Sequence, residues 1–298
     1  MYSFSIKKSM ELSLYEVDYF MDGKLYCDSF DLSLNSMQKK KVMLEHKESY
    51  YIGVEGKCGR GFEIYVLENS FEIVVNSPAT LQDWESTVTF MSKLAVRENS
   101  LIRDIEGNSY TFESILEFDY YLDIERGLSA LYEMLCVNKK QEIIHILGMR
   151  YSQIIDAKIM QSFFDSDDLL ISFSDFIREN QWLEYETTSQ KILEHKDTND
   201  IVSIYYIVVN EPTIIPIKPM VEIAYDMQDI KVENVDKFIV LFLDESLNVI
   251  GEFNHYYLEE LLPKNKYKII DARNIAIDGL TVEEMKDLVS KSLVKDGE

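Results

Sequence analysis

Apolar and polar residues alternate with a period of two over much of the first 75 positions, and this pattern predicts β-strands. The runs are "YSFSIK" near the N-terminus and then "VMLEH", "YYIGV", "FEIYVL" and "FEIVV" between residues 42 and 75. Turn residues separate them, and Glu68, Asn69 and Ser70 predict the turn of the last hairpin. The sequence therefore predicts a meander of antiparallel strands, preceded by a short helix that Ser9 caps and Gly23 ends.

Helical spacing replaces this alternation at three places. Thr80 stands where an N-cap belongs, with Asp83 as its acidic partner, and Trp84 begins an apolar stripe that predicts a buried anchor. Residues 119–137 carry a second stripe. Thr281 and Glu284 form a capping box at the start of the final helix. Each stripe predicts a helix that packs one face on a sheet.

Strands also dominate the prediction for the second half. "EIIHILG" reads as an apolar strand in which His145 is a core residue, and "KFIVLFL" pairs with "VIGEF" as a hairpin. The run "IVSIYYIVVN" is rich in β-branched residues. Pro212, Pro216 and Pro219 follow it, and they predict an extended piece that cannot sit centrally in a sheet.

Together these patterns predict the α+β class, with mainly antiparallel sheets, packed helices and two lobes. Strand runs joined by short turns disfavour a doubly wound parallel sheet. The polar break at residues 138–140 is the expected boundary, giving an N-terminal α+β lobe over residues 1–138 and a C-terminal one over residues 139–298.

The charge balance restricts the kinds of partner that the protein is expected to bind. The chain of 298 residues has 53 acidic and 30 basic side chains, a formal net charge of −23. Residues 1–62 hold nine of each sign, so the whole excess lies from Glu63 onward. Such a chain repels nucleic-acid phosphates and anionic membranes, and its excess of acid fits a basic or neutral protein partner.

The N-terminus, the lengths of the apolar stretches and the cysteines predict the cellular compartment. The N-terminus has neither the basic start nor the apolar run of a signal peptide, and no stretch is apolar for long enough to span a membrane. The 3 cysteines are odd in number and widely spaced. These features predict a reduced, cytoplasmic protein that carries no membrane span.

Four of the 11 glycines fall between residues 53 and 61, a density that raises the question of phosphate binding. A P-loop or dinucleotide fingerprint needs a helix after its glycines, whereas "FEIYVL" follows Gly61. We interpret the stretch as a hairpin connection in which Gly56, Gly59 and Gly61 serve backbone geometry and bind no nucleotide. Lys57 and Arg60 remain candidates for an anion site.

Metal and catalytic motifs are sparse. Asp119 and Asp123 share a predicted helix face and are candidate ligands for Mg²⁺ or Ca²⁺, although such carboxylates are more often solvated charge at a helix start. A second cluster of acidic residues, at positions 165–168, lacks the glycine of a calcium-binding loop. The 4 histidines have no metal-ligand spacing, so we predict no cofactor and leave the catalytic residues unassigned.

Three motifs resemble one family. "GRGFEI", "NSPATLQDW" and "FDYYLDIERGL", at residues 59–64, 76–84 and 118–128, are similar to an uncharacterised family of Gram-positive bacterial proteins, the domain-of-unknown-function family 4299. The resemblance spans nearly the whole chain. It implies a bacterial, cytoplasmic protein, and it transfers no functional residue because the family assigns none.

Three functional hypotheses follow. The first is a non-enzymatic binding module for a basic or neutral protein partner, because catalytic motifs are missing and the charge is one-sided. The second is a hydrolase or divalent-metal-dependent enzyme whose site joins distant carboxylates and a histidine. The third is a sensor of small anionic molecules that uses the glycine hairpin and its flanking lysines. The sequence favours the first and leaves the oligomeric state open.

Overall fold

A computed structural model describes residues 1–27, 29–194, 200–221 and 231–297. The chain divides into two compact units, Met1–Leu183 and Glu184–Glu298. Each unit combines antiparallel strand pairs with helices, so the predicted α+β class is confirmed.

The first unit is built on a seven-stranded sheet in the order β2-β3-β4-β5-β1-β6-β7. Its strands are β1 (Tyr2–Lys7), β2 (Leu25–Tyr26), β3 (Ser49–Val54), β4 (Phe62–Val66), β5 (Ser70–Val75), β6 (Ile102–Asp104) and β7 (Ser109–Tyr110). Every neighbouring pair in this sheet is antiparallel. The predicted meander is confirmed for β3, β4 and β5, whereas "VMLEH" forms only an isolated bridge between Met43 and Ser13.

Six α-helices accompany this sheet in the described part of the unit. They are α1 (Leu14–Phe20), α2 (Ser36–Lys39), α3 (Leu81–Glu98), α4 (Tyr121–Tyr132), α5 (Ala157–Phe164) and α6 (Leu169–Gln181). Thr80 caps α3 in a capping box with Asp83, and Trp84 is fully buried, as predicted. The cap of α1 was wrongly predicted, because Ser13 fills that place while Ser9 donates to the carboxylate of Glu98.

The first unit continues beyond the expected domain border at residues 138–139. Helix α4 continues into a π-helical turn at Glu133–Val137, and a hairpin of β8 (Ile143–Ile146) and β9 (Gln153–Asp156) comes next. Ile146, Ile155 and residues of α5 and α6 belong to the same hydrophobic core as the seven-stranded sheet. The expected border at residues 138–139 therefore falls inside this unit, because the polar break is a surface turn between packed elements. His145 is exposed rather than a core residue, since it lies on the outer side of β8.

The second unit contains two four-stranded sheets, in the orders β10-β13-β17-β16 and β11-β12-β14-β15. Its strands are β10 (Glu186–Thr187), β11 (Lys191–Glu194), β12 (Ile201–Val208), β13 (Thr213–Pro216), β14 (Lys237–Leu243), β15 (Val249–Asn254), β16 (Tyr267–Ile269) and β17 (Asn274–Ile277). The pairs β10–β13 and β12–β14 are parallel, and the others are antiparallel.

The proline-rich piece is an interior strand, which corrects the prediction for it. Strand β13 lies between β10 and β17, with Pro212 directly before the strand and Pro216 as its last residue, opposite Asn274 of β17. The carbonyl of Pro212 still accepts the backbone N–H of Glu186 at 3.0 Å. The described residues of this unit also form the short helix α7 (Leu258–Leu261) and the 15-residue helix α8 (Val282–Asp296), and the predicted Thr281–Glu284 capping box starts α8.

Candidate functional site

The glycine loop between β3 and β4 cradles a carboxylate that belongs to the chain itself. The backbone N–H groups of Gly59, Arg60 and Gly61 donate to Asp83 over 2.7–3.1 Å, and the N–H of Thr80 donates to it at 2.9 Å. Asp83 is fully buried at the start of α3. Successive N–H groups that converge in this way form an anion-binding concavity. The loop therefore uses its anion-binding geometry to join β4 to α3.

Arg60 is turned into the protein. Its side chain donates to the carbonyl oxygens of Leu147 at 2.9 Å, Asn76 at 3.2 Å and Pro78 at 2.5 Å. Burial lowers the pKa of its guanidinium, and the nearby Asp83 opposes that shift. Lys57, in contrast, is at the surface and contacts Glu85 at 3.1 Å. The two candidate anion ligands thus occupy different environments, and anion binding by them stays a prediction.

The two candidate metal ligands also lie in different surroundings. Asp123 is 4 % exposed and accepts a hydrogen bond from the indole Nε1 of Trp84 at 3.1 Å, whereas Asp119 is exposed. Within the described ranges, no group of three or more His, Cys, Asp or Glu residues is placed to hold a metal ion. Metal binding at this pair remains an untested prediction.

These contacts bring the three family-like motifs together. The glycine loop meets Asp83 of the second motif, and Trp84, the next residue, meets Asp123 of the third. An added Cβ on Gly127 would lie 2.7 Å from Ser77 Oγ and 2.9 Å from the Cβ of Pro78, so α4 packs tightly on the second motif. The motifs form one buried connection between strand, loop and two helices.

A stack of rings leads from this buried connection to the surface. Trp84 stacks on Tyr120 with ring centroids 5.8 Å apart and planes 6° apart. Tyr120 stacks in turn on Tyr121 at 4.9 Å, and Tyr121 is 50 % exposed. Burial, and then the neighbouring Tyr121, raise the pKa of Tyr120 to about 12, so its hydroxyl stays neutral at physiological pH.

The surface at the end of this stack is both acidic and apolar. We define the acidic apolar segment as residues 112–125. Its exposed apolar side chains are Phe112 at 43 %, Leu116 at 52 %, Tyr121 at 50 % and Leu122 at 46 %. Its exposed carboxylates belong to Glu113, Glu117, Asp119 and Glu125. On α4, Tyr121 and Glu125 are four residues apart, so they share a face.

Aromatic packing fixes the backbone beneath the segment. The ring of Phe118 meets Phe4 edge-on at 5.4 Å and Tyr2 at 5.9 Å, while Ile115 is fully buried. The hydroxyl of Ser92 on α3 donates to the carbonyl of Phe112 at 2.7 Å. The exposed side chains are therefore presented from an ordered support.

The sequence predicts a candidate metal site or solvated helix-start charge in this stretch, which also contains the third family-like motif. A signal for the surface was present only for Leu122, which falls off the stripe formed by Ile124 and Leu128, whereas Tyr121 lies three residues before Ile124 and shares that stripe by spacing. Apolar residues that lie outside the buried stripe of an amphipathic helix are expected to face solvent. Their proximity to the exposed Phe112 and Leu116 could not be read from spacing alone.

The histidines lie in different environments. His46 and His145 are exposed, His255 is buried, and His195 lies outside the described residues. Three surface cavities of about 310–450 Å³ are present, two in the second unit and one in the first. None of these three is lined by a histidine, the arrangement that the enzymatic hypothesis requires.

The family comparison agrees with the resemblance noted from the motifs. A family model described as Domain of unknown function (DUF4299) matches residues 2–288. No curated protein and no solved structure matches the chain. In the described part of the chain, every helix is too short or too polar to cross a bilayer.

Proposed function

The chain belongs to the DUF4299 family, and we propose that it is a non-enzymatic binding module whose acidic apolar segment docks a basic, amphipathic segment of a partner protein. The single observation that carries the proposal is the exposure of four large apolar side chains among four exposed carboxylates over residues 112–125. Exposed apolar surface with a polar rim is typical of protein interaction sites.

The charge of the segment favours a basic partner. Within the described chain, Glu113, Glu117 and Glu125 take part in no ion pair, so their carboxylates are available to lysine or arginine. The net charge of −23 adds long-range attraction for a cationic partner. Charge of this kind raises the association rate and is weakened by salt.

Apolar contact supplies the affinity in this proposal. Tyrosine is enriched among interface residues that dominate binding, and truncation of such a residue typically costs about 2 kcal/mol or more. Tyr121 is half exposed and is held by its stack on Tyr120, so little conformational freedom remains to be lost on binding. We therefore assign Tyr121 as the central apolar contact, with Leu122 beside it.

A reduced, cytoplasmic setting in a bacterium is part of the proposal. It is supported by the cysteines, because Cys27 and Cys58 are buried and the three thiols form no disulfide with one another. The acidity of the chain accounts for our expectation that it binds neither nucleic acid nor an anionic membrane surface.

Two charge-reversed variants of equal net charge test the proposal. The first carries Glu113→Lys, Glu117→Lys and Glu125→Lys in the segment. The second carries the same change at three exposed acids of the second unit, Glu233, Glu245 and Glu283. Both raise the net charge by about six, so general electrostatics are matched.

The assay is affinity purification from bacterial lysate with quantitative mass spectrometry at low and high salt. We expect a protein that the parent and the second-unit variant retain, that the segment variant loses, and that high salt releases. Equal retention by both variants would show that the acidity of the chain, rather than the segment, attracts its partners.

A further inference from the structure

A second, chemically distinct surface lies on the outer face of the seven-stranded sheet. The end of β1, the start of β5 and the connection from α3 to β6 enclose a groove of about 430 Å³. Two cations, Lys7 and Arg103, line it together with the hydroxyls of Ser5, Ser70 and Ser100. Asn69 and Asn99 complete its polar lining. No carboxylate lines this groove, although the chain carries a net charge of −23.

Strand register brings these donors together. Ser5 is the cross-strand partner of Arg103 on β6, and Lys7 is the partner of Ser70 on β5. Since successive residues of a strand face opposite sides, Ser5 and Lys7 point outward while Phe4 and Ile6 are fully buried. Residues from three separate parts of the sequence therefore converge on one outward face.

Neither cation has a partner of its own. Lys7 and Arg103 are exposed, and within the described ranges their side chains make no ion pair and no hydrogen bond. The carbonyls of Ala95 and Val96 that end α3 are already capped by the N–H groups of Ser100 and Asn99. The groove thus presents mainly donors and positive charge.

One carboxylate lies near enough to modulate the groove. Glu72 on β5 stands opposite Ser5, and its Oε1 accepts the hydroxyl of Ser3 at 2.6 Å. Glu72 does not line the groove, but as the cross-strand partner of Ser5 it places a negative charge beside it that opposes the binding of an anion. Removing its charge is expected to strengthen anion binding, because like charges repel at short range.

We propose that this groove binds a phosphate group, either inorganic phosphate or the phosphate of a small organic monoester. An arginine fork matches the geometry of phosphate oxygens, a lysine adds a point charge, and the hydroxyls of Ser5 and Ser70 donate to the remaining oxygens, whereas the hydroxyl of Ser100 already donates to the carbonyl of Leu101 at 3.1 Å. A volume of about 430 Å³ lies in the range of small-ligand pockets, so an organic group attached to the phosphate also fits. The site is independent of the acidic apolar segment and of the predicted pair Lys57 and Arg60.

The test is an amide NMR titration of the ¹⁵N-labelled full chain with inorganic phosphate, glycerol 3-phosphate and, as the neutral control, glycerol. We expect saturable shifts at the amides of Ser5, Lys7, Ser70 and Arg103 with either phosphate and none with glycerol. A monoester that binds more tightly than inorganic phosphate assigns the organic source, and the reverse order assigns the free ion.

Matched variants decide whether the groove itself carries the binding. Arg103→Gln and Lys7→Gln are each expected to weaken phosphate binding at least tenfold, and Glu72→Gln is expected to strengthen it. Arg126→Gln and Lys158→Gln remove exposed cations elsewhere in the unit and should leave the affinity unchanged. The proposal is overturned if the parent shows no saturable shift, or if the groove and control variants weaken binding equally.

Discussion

Replacing Asp83 by Asn tests the central structural connection of the first unit. The carboxylate accepts four backbone N–H groups, from Gly59, Arg60, Gly61 and Thr80. An amide keeps one acceptor oxygen and turns its NH₂ toward N–H donors, so roughly two of these N–H groups lose their partner. Each buried donor left unsatisfied costs about 1–3 kcal/mol. The neighbouring Arg60 also loses the favourable negative charge of Asp83, and we expect a total loss of about 4 kcal/mol.

The assay can be restricted to the affected unit. The chain has 2 tryptophans, and both Trp84 and Trp182 lie in Met1–Leu183, so tryptophan fluorescence during urea unfolding reports the first unit. The matched control is Glu85→Gln, which neutralises a half-exposed carboxylate two residues away and should cost less than about 1 kcal/mol. If Asp83→Asn and Glu85→Gln shift the unfolding midpoint by the same amount, the reasoning about the glycine loop is refuted.

Two further predictions concern backbone strain and pH. Gly56 and Gly61 both have positive φ, but an added Cβ meets nothing at Gly56 and lies 2.3 Å from the Ile52 carbonyl oxygen at Gly61. Gly56→Ala should therefore cost about 1 kcal/mol and Gly61→Ala clearly more in the same fluorescence assay, and equal losses would contradict this packing. His255 is fully buried, its Nε2 lies 2.7 Å from the carbonyl oxygen of Pro216, and burial lowers its pKa from 6.5 to about 4. Because the unfolded chain binds this proton more readily, stability is retained above pH 6.5 and falls as the pH drops toward 4, by about 2 kcal/mol between pH 7 and pH 5. Urea unfolding followed by circular dichroism should show this loss reduced in His255→Gln, and an unchanged pH dependence would exclude His255 as its source.

Local signals in the sequence were sufficient for much of the fold. Alternation located β3, β4 and β5, and side-chain capping located the starts of α3 and α8, because these features depend on residues close in the chain. The rule that proline avoids central strands failed at β13, since only the ends of that strand carry prolines and its neighbour β10 is two residues long. His145 was misassigned because an apolar run does not reveal which side of a two-stranded hairpin faces solvent.

The candidate sites depended on contacts between distant residues. Spacing identified the glycines as backbone elements, but it could not show that Asp83, more than twenty positions later, fills their concavity. The sequence predicts Arg60 as a candidate anion ligand beside Lys57, whereas its guanidinium donates to the carbonyl groups of Asn76, Pro78 and Leu147 and is buried. The phosphate-binding groove was missed for the same reason, as Lys7 and Arg103 meet only through the pairing of β1 with β6.

The most direct test of the proposed function measures the affinity of a defined partner for the acidic apolar segment. The probe is a labelled amphipathic peptide of lysine and leucine, titrated by fluorescence anisotropy against the parent, Tyr121→Ala and the two charge-matched triple variants. Our account predicts that Tyr121→Ala weakens binding at least tenfold, which corresponds to about 1.4 kcal/mol, and that only the segment variant of the charge-matched pair loses binding. Equal affinity for the parent and Tyr121→Ala, together with equal loss in both triple variants, would contradict the assignment of residues 112–125 as the docking surface.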